Sequence, residues 1–271
     1  MAFDVGVNGN VSSWSSGDDA ADILSNIGQY SFDASITADE IDATEFSSSG
    51  VAALASIPGL KSISGTMRAR FKPGGPLIGN GGLLTYSAGG YTAGVRQWSL
   101  SCSWTSNDST AFNSTPPVWK SFVPGPLSWS YTAQGLIDSA AAIALPDDPG
   151  GSLATVTMKL SEEGATDNTI AGSAYTQASN VGPIEPNTLS AVNFNGRGSG
   201  DLTFAGGSNI LTAGTLGIPS YDAADLVLKL TTGRTLSGVA FFTSLGITCD
   251  VAGAIDVSIG WQGTGVWALG T

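Results

Sequence analysis

The chain contains no histidine, which excludes an imidazole base, an imidazole metal ligand and a histidine pH switch. Charge is scarce as well. Asp, Glu, Lys and Arg make up 12% of the 271 residues, whereas the surface of a free domain normally carries about a quarter or more. Surface that avoids charge is commonly surface that becomes buried against further copies of itself. Lys and Arg number 10 and stand singly, which disfavours nucleic-acid binding, because neutralising phosphates takes clusters of them. No apolar run approaches the roughly 18 residues of a membrane-spanning helix. Met1-Ala2-Phe3-Asp4-Val5 has neither the basic nor the apolar region of a signal peptide, so none is expected. The two cysteines, Cys102 and Cys249, lie in unlike strand-like runs and have no repeat-mates, so buried thiols are expected rather than a disulfide. Helical signal is sparse. Asp138–Leu145, stopped by Pro146, is one short candidate and Asp18–Leu24 a weaker one.

What the chain does contain is repetition. One unit, A1, reads Ile27-Gly28-Gln29-Tyr30-Ser31, then Phe46, Ile57-Pro58-Gly59 and Ser62-Ile63-Ser64. It returns as A2 in Val95-Arg96-Gln97-Trp98-Ser99, Phe112, Val123-Pro124-Gly125 and Ser128-Trp129-Ser130. A different unit, B1, reads Met158-Lys159-Leu160, Gly172-Ser173-Ala174-Tyr175, Phe194 and Gly198-Ser199-Gly200. It returns as B2 in Leu228-Lys229-Leu230, Gly238-Val239-Ala240-Phe241, Ile259 and Gly263-Thr264-Gly265. Such self-similarity decides the fold reading before any local pattern does. The order A1–A2–B1–B2 implies two copies of one β domain.

Within the units, apolar and polar residues alternate, as in Tyr30–Ile36 and Trp98–Trp104, which is the period of a half-buried strand. Each A unit reads as two long strands around a loop, Asp39 to Leu60 and Ser106 to Leu127. Loops of about twenty residues are uncommon and usually functional. Each B unit reads as three strands, the last ending in Gly-x-Gly. Lys72–Gly82 and Gly206–Tyr221 read as linkers. Short, uncrossed connections favour pairing A2 with B1 as an inserted domain and A1 with B2 around it. The expected division is 1–80 plus 207–271 for the first domain and 82–205 for the second, with contact between Tyr30–Ile36 and Val257–Gly263.

Several of these segments resemble the major tail tube proteins of long-tailed bacteriophages. The resemblance rests on Trp98-Ser99-Leu100-Ser101 followed by Trp119-Lys120-Ser121-Phe122-Val123-Pro124-Gly125, and on the acidic stretch Asp39–Phe46. It also rests on Ser237–Leu245 followed by Gly260-Trp261-Gln262-Gly263-Thr264-Gly265. It spans about Ile27 to Ala268. A1 departs from the pattern where Ala53-Leu54 replaces the Trp-Lys pair, and B1 departs at Gln177-Ala178 and Arg197.

The resemblance implies a mainly β fold of two nested tail-tube-like sandwich or barrel domains, each with at most one short helix. It implies a virion structural protein, made in the bacterial cytoplasm, that polymerises into stacked rings around a channel for double-stranded DNA. Two domains per chain then make a pseudo-hexameric ring from three chains, which contacts other tail proteins at its ends. The long loops become the ring-to-ring contacts, with Asp39, Asp42, Phe46, Leu54, Phe112, Trp119 and Lys120 as candidates. A channel that passes DNA must not bind it, so an acidic wall is expected to repel the duplex within the screened range. Asp33, Ser35, Asp39, Asp225 and Asp256 are candidate wall residues. The alternative is that the acidity, −12 overall, lies outside for solubility.

No catalytic, metal or cofactor site is expected. Asp39/Glu40 and Asp147/Asp148 are carboxylate pairs of the kind used in glycoside hydrolysis, but the second lies in an Asp-Asp-Pro-Gly turn. Gly196-Arg197-Gly198-Ser199-Gly200 lacks the lysine of a phosphate loop, and its mate in B2 marks a turn or bulge. Two other readings stay open: a β-sandwich carbohydrate-binding or adhesin module using its Trp and Tyr as platforms, or a distal or terminator ring of a phage tail.

Overall fold

The computed structural model describes residues 10–15, 27–42, 56–71, 83–86, 95–111, 119–136, 153–163, 166–182, 191–206, 214–216, 223–250 and 253–270. Among them the chain is mainly β, with thirteen strands in one antiparallel sheet. These are β1 (Asn10–Ser15), β2 (Ile27–Asp42), β3 (Ser56–Phe71), β4 (Leu83–Tyr86), β5 (Val95–Asp108), β6 (Phe122–Leu136) and β7 (Ala154–Glu163). The rest are β8 (Thr166–Val181), β9 (Ala191–Ala205), β10 (Gly214–Leu216), β11 (Ala224–Thr231), β12 (Arg234–Asp250) and β13 (Asp256–Gly270). Strictly alternating Ser/Thr and apolar residues favour this outcome, since each strand can then bury one face and hydrate the other.

Both A-unit hairpins are longer than expected and their loops shorter. The β2–β3 ladder continues to Asp42 opposite Ser56, and the β5–β6 ladder to Asp108 opposite Phe122. Pro58 and Pro124 are therefore strand residues next to bulges, positions where a missing N–H is tolerated. Part of the presumed linker is also strand, because β10 pairs with β9. The helix candidates Asp138–Leu145 and Asp18–Leu24 lie outside the described residues, as does Lys72–Gly82.

The principal strand order is β2-β3-β13-β12-β5-β6-β9-β8-β7-β4, with β11 and then β1 branching from β12, and β10 from β9. A1 thus pairs with B2 through β3–β13, and A2 with B1 through β6–β9. The expected contact of Tyr30–Ile36 with Val257–Gly263 is displaced by one strand, since β3 lies between them. The strands β1, β2, β3, β11, β12 and β13 repeat, position for position, the pairings of β4 to β9. Even the short strands correspond: Trp14 on β1 lies opposite Leu226, and Tyr86 on β4 opposite Val156.

Register corrects the sequence alignment of the first strands. Ser35 opposite Ser64 returns as Ser101 opposite Ser130, a step of 66 residues in both strands. The bulges at Tyr30 and Asp39 return at Arg96 and Thr105 with the same step. Trp98 therefore corresponds to Phe32 rather than to Tyr30. The Gln-aromatic-Ser match two residues away is coincidental: Tyr30 is the bulged residue, and its ring lies over Arg70 on the polar side while Trp98 is core.

One face of the sheet is core. Trp98, Trp129, Trp261 and Trp267 are buried there, and Trp104 and Trp119 pack against it in part. β1 folds over the same core, bringing Trp14 edge-on to Phe242 of β12 at 4.4 Å between ring centroids. Glycines make room for the indoles. A side chain on Gly198 would overlap the Trp129 ring, whose Nε1 donates to the Gly200 carbonyl at 2.9 Å. Gly200 and Gly265 both hold the left-handed conformation at matching bulges (φ 78° and 68°), which explains the repeated Gly-x-Gly.

Cys102 and Cys249 are both buried free thiols. Burial raises the Cys102 pKa well above the ordinary range and pushes Cys249 to about 12, with Asp250 adding to the second shift. Neither is a thiolate at neutral pH, so both should resist a thiol-specific alkylating reagent in the native protein and react fully in denaturant. Mass spectrometry of the alkylated protein checks this.

Candidate assembly surface

The face opposite the core is a continuous field of small polar side chains across eight long strands. It carries Ser99, Ser101 and Ser103 on β5, Ser128, Ser130 and Thr132 on β6, and Ser244 and Thr248 on β12, all but Ser99 exposed. Hydroxyl pairs tie neighbouring strands together: Thr37 to Ser62 at 2.8 Å, Ser99 to Thr132 at 2.7 Å and Ser103 to Ser128 at 2.7 Å. Asp33 accepts from both the amide (3.1 Å) and the hydroxyl (2.8 Å) of Thr66 across the β2–β3 ladder. Among the described residues, shallow hollows open on this face, one spanning β2, β3, β13, β12 and β5 and two lying over β5, β6, β9 and β8.

Charges of both signs lie on this face, among them Asp33, Asp250 and Asp256, and Arg68, Arg70 and Arg197. Arg70 lies 3.5 Å from Asp256, with both side chains more than half exposed, and sits 5.6 Å from the centroid of the Tyr30 ring. Of the carboxylates that the sequence singled out, Asp256 is paired with an arginine on this face, Arg70, while Asp33 is held by Thr66.

The two six-strand units meet edge to edge. Ser244 through Asp250 of β12 pair with Ser103 through Gln97 of β5, an unbroken seven-residue ladder. On its core side this seam buries Leu245, Ile247 and Cys249 from one unit and Cys102, Leu100 and Trp98 from the other.

A second contact crosses the seam. Trp119 forms a parallel bridge with Lys61 of β3, and the Lys120 amide donates to the Lys61 carbonyl at 2.7 Å. The Gly265 amide donates to the Lys120 carbonyl at 3.0 Å, and the Phe122 amide to the Thr264 hydroxyl at 2.8 Å. The Lys120 ammonium reaches Asp39 at 2.8 Å, while the Lys61 ammonium sits 5.8 Å from the Trp119 ring centroid. The return arm of the loop in the second unit is thus fastened to the first unit of the same chain.

The hydrogen bond to Asp39 is the main cause that raises the Lys120 pKa, aided by the charges of Asp39 and Asp108. Asp108 is lowered, chiefly by Thr110, whose amide donates to it at 2.9 Å. A lysine pKa raised on folding contributes stability that is complete below its unfolded value and lost as pH rises through the folded value. The melting-temperature gap between wild type and Lys120→Met should therefore be full at neutral pH and close above the ordinary lysine value of 10.5. Thermal melts across alkaline pH check it.

The sequence-derived site residues fall in different places. Asp33, Ser35 and Asp256 share the polar face, whereas Asp39 occupies a β2 bulge and binds Lys120. Asp225 is on β11, opposite Ser15 and Val239, away from the long ladders. Asp42 ends β2 opposite Ser56, while Phe46, Leu54 and Phe112 lie outside the described residues. Trp119 and Lys120, expected to reach another ring, are engaged within the chain. The seam residues were missed, because strand alternation marks each strand without saying which distant strand lies beside it. Among the described residues, no group of three or more Cys, Asp or Glu side chains is placed to hold a metal ion.

No family model and no curated protein matches the chain. Among solved structures, it is similar to a chain of the virion of a native gene transfer agent particle at 16% identity and a TM-score of 0.38, over 48% of this chain and 99% of that one.

Proposed function

We propose that the protein is a virion structural subunit of the tail tube type, which polymerises into rings that stack around a DNA-conducting channel. The observation that carries this reading is the repeated six-strand unit joined edge to edge in one sheet, with one face polar. A sheet that already continues through one seam extends by adding units, and its polar side becomes the bore when it closes. The two units per chain make a six-unit ring from three chains, the arrangement suggested by the tail tube resemblance. A bore of hydroxyls with few Lys and Arg gives duplex DNA no basic cluster to hold it. The role is structural, with no catalytic step.

The carbohydrate-module reading is less favoured, since its tryptophan platforms are buried or packed against the core, although Tyr30 stays exposed. Negative-stain imaging and sedimentation of purified protein at rising concentration test the proposal. Tubes or rings of uniform diameter are expected, and a monomer at every concentration would overturn it.

A further inference from the structure

The internal seam has two unfilled counterparts at the ends of the chain's own strand order. Along its first half β8 has β7 on one side, to Ala174 opposite Ala154, and beyond that point no described strand continues on that side. In β12 the matching half, Ser244–Asp250, is where β5 pairs. At the other end, β2 pairs only with β3 among the described residues, although its counterpart β5 pairs on both sides. The unit repeat thus leaves one donor edge and one acceptor edge of the same kind that the seam joins.

Exposure distinguishes the joined edge from the open one. Cys102 and Leu100 are each 1% exposed in the seam, while their counterparts Ile36 and Ala34 on β2 are exposed, Ile36 by 52%. Trp98 is likewise buried, and its counterpart Phe32 only partly so. An apolar residue on a sixteen-residue unpaired edge is a liability in a monomer unless another strand covers it.

We infer that the second half of β8 in one copy pairs antiparallel with β2 of the next copy, in the register of the β12–β5 seam. The match of β8 to β12 also steps by 66 residues, from the bulge at Gln177 to that at Thr243. Carrying the seam register back by this step sets Ala178 opposite Thr37, Asn180 opposite Ser35 and Gly182 opposite Asp33. Ile36 then lies opposite Ser179, where the seam places Cys102 opposite Leu245. The contact is heterologous, since unlike edges meet, so it propagates around a ring or along a filament. The inference rests on the self-assembly part of the proposed function and is independent of what passes through the channel.

Directly opposed strand residues have the Cα separation a disulfide requires. The test oxidises the full-length double variant Ala178→Cys with Thr37→Cys, two small exposed positions on the polar face. A ladder of covalent oligomers should appear on a non-reducing gel. Mixing the two single variants should give dimers and stop there, and neither single variant alone should cross-link. Pairing Ala178→Cys with Ser35→Cys, two residues out of register, should cross-link several-fold less. Dimers from Thr37→Cys alone, or a stronger reaction in the shifted pair, would overturn the inference. Tubes that form without the in-register cross-link would overturn it and leave the tube reading standing. A ladder from protein that never stacks into tubes would do the reverse, and a protein that stays monomeric overturns both.

Discussion

Replacing Trp129 by alanine should lower the unfolding free energy by about 3–5 kcal/mol, the range for emptying a buried Trp site that cannot collapse. The indole is 3% exposed and fills the space that Gly172 and Gly198 leave across β8 and β9. Those backbones cannot close in, because the strand ladders on either side hold them apart. Its loss also removes the hydrogen bond from Nε1 to Gly200 at the left-handed bulge. The converse change, Gly198→Val, pushes a side chain into the same ring and should be destabilising by at least about 1–3 kcal/mol. Equilibrium urea unfolding followed by tryptophan fluorescence and far-UV circular dichroism measures both. A Trp129→Ala loss below about 1 kcal/mol would mean that the indole is not part of a packed core.

Ile36→Lys should leave the subunit folded and abolish its assembly. Ile36 is half exposed on an edge that no described strand pairs, so the substitution removes little packing within the chain. In the inferred contact it would bury an unpaired ammonium where the internal seam holds Cys102 against Leu245. Leaving one charge buried without a partner costs about 3–5 kcal/mol, equivalent to roughly a hundredfold or more in the concentration at which copies associate. Sedimentation velocity should show wild type assembling and the variant monomeric, with matching circular dichroism spectra and melting temperatures. Unchanged assembly would remove the β2 edge from the interface.

The mainly β character was legible at once, because hydroxyl–apolar alternation is a local signal that needs no knowledge of partners. The repeats were legible for a related reason. Gly198-Ser199-Gly200 and Gly263-Thr264-Gly265 recur because one bulge needs a left-handed glycine and room beside an indole, a requirement tied to particular positions. The alignment of Tyr30 with Trp98 failed where the chain bulges. A bulged residue lies outside the ladder, so residue identity there carries no register.

Long-range placement was the part hidden in the sequence. Trp119-Lys120 stood out as a motif, but nothing local showed that its partners are Lys61, Asp39 and Gly265 of the sister unit. Charge is hidden in a similar way. Alternation singles out Asp33 and Asp256, while Arg68, Arg70 and Arg197 enter the same face from strands whose adjacency appears only in the fold.

The most direct measurement is an electron cryomicroscopy map of the assembled protein in which individual strands are traced. The account predicts a closed barrel of six pseudo-equivalent units from three chains, with β12–β5 seams alternating with β8–β2 seams. Its bore would be lined by the Ser- and Thr-rich polar face. A tube whose copies meet through other strands, or whose bore is lined by the opposite face of the sheet, would contradict it.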